Sequence, residues 1–96
     1  MSMELTVSRL TAELRDELDL PIEKRPTRAS DDSIYWAVER ANEALNLLNA
    51  GRSEEAANIM NEISHMAIDS WNLRASLVEQ IVGCAQLLRG DGDDPK

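Results

Sequence analysis

The sequence predicts an all-α protein, a small helical bundle built on an αα-hairpin with a long C-terminal helix. Two observations carry that expectation. Apolar residues return every three or four positions through most of the chain, the period of an amphipathic helix. The strong helix breakers are confined to Pro21, Pro26, Gly51 and the C-terminal run from Gly90, apart from Gly83 inside a periodic stretch. Leu5-Thr6-Val7 could start a short extended arm, but no second strand candidate exists to pair with it.

The first helix is expected over residues 4–19. Val7, Leu10, Leu14 and Leu18 share one face, which Met3 extends. Glu13, Asp16, Glu17 and Asp19 crowd the later turns, where the helix dipole disfavours negative charge. Pro21 ends this helix and Pro26 keeps the following stretch open. Residues 20–30 therefore read as a surface linker, and its basic side chains Lys24, Arg25 and Arg28 read as solvated charges offsetting the acids nearby.

The second helix, residues 31–49, opens with Ser30 as cap and with Asp31 and Asp32 in the first turn, where exposed amides favour acids. Ile34, Val38, Ala41, Leu45 and Leu48 follow the alternating spacing of a coiled-coil seam, flanked by the small residues Ala37 and Ala44. Gly51 is placed for a left-handed helix end. The connection to the next helix is so short that the two must be antiparallel neighbours.

Residues 54–89 continue the period through Ala56, Met60, Ile63, Ala67, Ser70, Leu77, Ile81, Cys84 and Leu88. As one helix they span about 54 Å at 1.5 Å per residue. Asp69, Ser70 and Asn72 lower the helix propensity and allow a kink or break at 69–71, with Asp69 or Ser70 capping a fourth helix. No proline or glycine lies between Met66 and Leu73, so the continuous or gently kinked helix is the favoured expectation. The tail from residue 90 to 96 is short, charged and glycine-rich, and is expected to be disordered. Its Asp91, Asp93 and Asp94 lack the rest of a calcium loop.

Residues 44–60, ALNLLNAGRSEEAANIM, resemble the turn of a tetratricopeptide repeat. The resemblance implies a helical hairpin at that point. It covers this segment alone, and no second copy lies about 34 residues further on.

Ninety-six residues allow a single domain with a small core of Leu, Ile, Val, Ala and Met, since Tyr35, Trp36 and Trp71 are the only aromatic residues. Eighteen acids against ten bases give a formal charge of -8, which argues against direct binding to duplex nucleic acid or an anionic membrane. The lone Cys84 permits no internal disulfide, and the N-terminus lacks the features of a signal peptide. A cytoplasmic protein is expected.

Catalytic chemistry finds little footing. His65 is the only histidine, with Glu62 and Asp69 on its side of the helix, and any acidic helix offers such neighbours. Cys84 falls on the apolar seam, where an inert packed thiol is the ordinary outcome. No phosphate loop, metal-ligand spacing or nucleophile motif occurs, so neither enzymatic activity, a metal nor a cofactor is expected.

The expected function is that of a small acidic adaptor or regulator acting by helix-mediated protein binding, and the protein is expected to be a homodimer, because a 36-residue helix outruns any cover within one chain. Candidate interface residues are Tyr35, Trp36, Leu47, Met60, Met66 and Trp71, large apolar or adaptable side chains beside the tightest seam positions. The alternative is a phage-type inhibitor whose carboxylates imitate a nucleic-acid backbone before a basic partner protein. A phosphotransfer module using His65, or an enzyme accessory subunit, is the third and weakest reading.

Overall fold

A computed structural model describes residues 3–90 of the chain, with side chains through Leu88. Of the tail foreseen from Gly90, residues 91–96 lie outside the described residues. The described chain is all-helical: α1 (Met3–Leu18), α2 (Asp31–Asn49), α3 (Ser53–Ser70) and α4 (Ser76–Gly90), with a single 3-10 turn at Ile22–Lys24. Each helix packs on two others: α1 and α3 both lie against α2 and α4. The result is a closed ring of four helices with a longest dimension of 41 Å.

Local signals place most helix ends. The Ser30 hydroxyl accepts from the Ser33 amide at 3.2 Å and caps α2. At the other end of α2, Gly51 has φ +79°. There the Arg52 amide donates to the Leu47 carbonyl at 2.8 Å and the Gly51 amide to the Leu48 carbonyl at 3.0 Å. That is a Schellman closure, and it needs the left-handed conformation that glycine adopts without a steric penalty. Arg52 pairs with Glu55 in the first turn of α3.

Each helix contributes one stripe to the core. Val7, Leu10 and Leu14 of α1 join Ile34, Val38 and Ala41 of α2, Met60 and Ile63 of α3, and Leu77, Ile81 and Cys84 of α4. Ala37, Ala44, Ala56 and Ala67 are fully buried and let α2 and α3 approach closely. The hairpin foreseen at Gly51 is thus packed along its length.

The stretch 54–89 is not one helix. It stops at Ser70 and resumes at Ser76, and neither Asp69 nor Ser70 caps the resumption. Bonds to the start of α2 and the segment before it hold the turn between them. The Trp71 indole donates to the Ser33 hydroxyl at 3.1 Å. The Asn72 amide donates to the Thr27 carbonyl at 2.9 Å, and its side-chain nitrogen to the Pro26 carbonyl at 3.0 Å. Within the turn the Arg74 amide donates to Asn72 Oδ1 at 3.1 Å and the Ala75 amide to the Asn72 carbonyl at 3.0 Å. No proline or glycine stops the helix here; the weak helix formers Asp69, Ser70 and Asn72 permit a break, and tertiary hydrogen bonds with burial of Trp71 make it.

Candidate interaction surface

The linker between α1 and α2 is a built structure. Arg25, expected as a solvated charge, is buried with 4 % of its side chain exposed. Its Nε donates to the carbonyls of Glu17 (2.7 Å), which also accepts from the Leu20 amide at 3.0 Å, and of Leu20 (2.8 Å), just past the end of α1. Its Nη1 reaches the Ala29 carbonyl at 2.7 Å and its Nη2 the Asp31 carboxylate at 2.6 Å. One guanidinium thereby fastens the end of α1 to the start of α2.

Glu17 and Thr27 complete the fastening. The Thr27 hydroxyl, fully buried, donates to Glu17 Oε1 at 2.5 Å and accepts from the Ala29 amide at 3.1 Å. The acid that sits unfavourably at the end of α1 is thus the anchor of the linker. Arg28, next to Thr27, has φ +58°, a left-handed conformation uncommon for a side chain of this kind. We refer to residues 19–30 as the strap. It crosses one end of the bundle and is tied to the α3–α4 turn through Pro26, Thr27 and Asn72.

Most of the large apolar side chains exposed among the described residues belong to segments meeting at this end. Leu20 and Ile22 lie in the strap, Tyr35 and Trp36 in the first turns of α2, Ile68 in the last turn of α3, and Leu73 in the α3–α4 turn. Leu5 and Leu87 lie toward the opposite end.

The interface residues expected from the sequence divide accordingly. Tyr35 is 59 % exposed and Trp36 37 %. Leu47 and Met66 are half-buried. Met60 (1 %) and Trp71 (6 %) belong to the core, which corrects their reading as partner contacts. Both were assigned from a helix assumed to lack cover along its seam; α4 folds back and supplies that cover. The bonds Trp71–Ser33 and Arg40–Glu62 (2.5 Å) fix the antiparallel register of α2 and α3, and place Trp36 at about the level of Met66 along the pair. Tyr35 is turned about 100° from Trp36 around α2, so the two aromatic residues do not share one line along the helix. Ile22 and Ile68 lie on no periodic stripe of the sequence, and Leu73 only widens the last apolar seam, so the shared exposure of the three is not legible there.

The titratable candidates are placed apart from one another. His65 is exposed on the outer side of α3, and Glu62, one turn before it, is engaged by Arg40. Cys84 is buried in α4, and desolvation pushes its thiol up to about 11. Among the described residues no group of three or more His, Cys, Asp or Glu side chains could hold a metal ion. No helix among them is long and apolar enough to cross a membrane.

No family model matches this chain, and comparison with curated proteins and with solved structures gives no significant match.

Proposed function

We propose that this is a small helical adaptor or regulatory protein that binds a protein partner through the strap end of the bundle. The observation supporting this is the gathering of exposed Leu20, Ile22, Trp36, Ile68 and Leu73 on segments braced by the Arg25 and Asn72 hydrogen bonds. Apolar side chains held on a rigid frame lose little conformational entropy on binding, the property of an interface anchor. The cytoplasm is the compartment proposed, in keeping with a lone, buried, reduced thiol. Self-association no longer draws support from an uncovered long helix, since α3 and α4 cover each other.

The test uses the partner captured from the native host with the wild-type protein, titrated at 0.1 and 0.5 M salt. Trp36→Ala should weaken binding by about 2 kcal/mol or more, as expected of an aromatic anchor. Reversing Glu54 and Glu55, at the opposite end, should cost only tenths of a kcal/mol. Steep loss of affinity with salt together with indifference to Trp36 would instead support the acidic nucleic-acid mimic, whose binding rests on screened charge pairs.

A further inference from the structure

The turn between α3 and α4 stands where no proline or glycine interrupts the chain, and its hydrogen-bond partners lie 38 and 46 residues away, on Ser33 and Pro26. As one helix the two seams, Ala56, Met60, Ile63 and Ala67 before the turn and Leu77, Ile81, Cys84 and Leu88 after it, would lie on the same side, about 60° apart around the axis. We propose that this turn is a hinge, and that the protein exchanges α4 with a second copy of itself when the strap lets go of Asn72. In the exchanged form residues 53–90 are one continuous helix of about 57 Å, longer than the compact chain itself. Its α4 half fills the place vacated by α4 of the second copy.

The occupant of the opened bundle follows from the packing. Opening exposes the core faces of α1 and α3 that α4 covers. The surface complementary to them is α4 of an identical chain, which remakes each contact in the same register. The net change is confined to the hinge. The closed form keeps the bonds of Asn72 to Thr27, Pro26, Arg74 and Ala75 and that of Trp71 to Ser33. The exchanged form gains helical hydrogen bonds through residues 71–75 and loses the turn. The strap thereby sets the oligomeric state. This inference is independent of the binding role proposed above.

The experiment compares Asn72→Ala, which removes both side-chain bonds and raises helix propensity, with the wild type. Leu73→Pro is the reciprocal variant. Leu73 is the second residue of the turn closed by the Ala75 amide and the Asn72 carbonyl, a position that favours proline, whereas proline there breaks a continuous helix. Mass is read by light scattering. Geometry is read by pulsed electron resonance between labels at Glu54→Cys and Gln86→Cys, both exposed positions. Asn72→Ala should form a dimer with an intrachain label distance of about 48 Å, that of 32 residues of unbroken helix. Adding Leu73→Pro should return it to a monomer with a short distance, and adding Leu73→Ala should leave the dimer intact. Wild type refolded at millimolar concentration should trap a fraction of the same dimer, which provides the test should Asn72→Ala fail to fold. With labelled chains diluted into unlabelled protein, so that only intrachain pairs are read, a monomer under all these conditions, or a dimer whose intrachain distance stays short, overturns the proposal.

Discussion

Arg25 Nη2 lies 2.6 Å from Asp31 Oδ1, yet the two residues live in different environments: the arginine side chain is buried and the aspartate is 62 % exposed. Removing either one therefore has very different consequences. Arg25→Ala takes the guanidinium donor from the carbonyls of Glu17, Leu20 and Ala29, of which Glu17 keeps only the Leu20 amide, and should destabilise the fold by about 3 kcal/mol. Arg25→Lys should recover little, since a single ammonium cannot reproduce the planar fork. Asp31→Asn should cost less than about 1 kcal/mol, as for an exposed ion pair. Urea unfolding of the three variants checks this, and equal losses at Arg25 and Asp31 would contradict it.

The two tryptophans should separate stability from binding. Trp71→Ala opens a cavity under the strap and deprives the Ser33 hydroxyl of a donor, so it should cost about 3 kcal/mol. Trp36→Ala should cost less than about 1 kcal/mol, because its ring already meets solvent. Acrylamide should quench the fluorescence of the Trp71→Phe protein, which retains Trp36, far more readily than that of Trp36→Phe. Similar quenching of the two would place Trp71 at the surface.

Stability should fall in alkaline solution because of Cys84. Its thiol titrates near 9.0 when unfolded and about 11 when buried, so the folded state holds the proton over the interval in which the unfolded state releases it. The stabilisation is complete below pH 9 and is lost as the pH climbs to 11, on the order of 2 kcal/mol in all. Cys84→Ala should lower stability at neutral pH by roughly 1 kcal/mol and remove this part of the alkaline decline. Denaturation midpoints of both proteins from pH 7 to 11 measure it, and parallel declines would refute the assignment.

The two left-handed residues make opposite predictions. Gly51 has φ +79° and open space where a Cβ would stand, so Gly51→Ala should cost about 1 kcal/mol through backbone conformation alone. Arg28, with φ +58°, carries a side chain where glycine or asparagine fits more easily. Arg28→Asn should leave stability unchanged or raise it by up to about 1 kcal/mol. A marked loss at Arg28 in thermal unfolding would show that its side chain makes contacts that hold the strap.

The sequence by itself determined the helices and most of their ends. The 3.6-residue stripes of Val7-Leu10-Leu14 and Ile34-Val38-Ala41, the Ser30 cap and the Gly51 closure all involve residues within a turn or two of each other, so local physics settles them. It also placed Cys84 on a buried face. The tertiary structure alone decided that the last periodic stretch folds back at Trp71–Ala75. The bonds that stop the helix reach Ser33 and Pro26 across the bundle, and no local breaker announces them. For the same reason Met60 and Trp71, named as interface candidates, lie in the core, while Ile22, Ile68 and Leu73 share one exposed end. Arg25 shows the limit most plainly. Nothing within the linker distinguishes it from Lys24 or Arg28, and its burial follows from where the ends of α1 and α2 happen to meet.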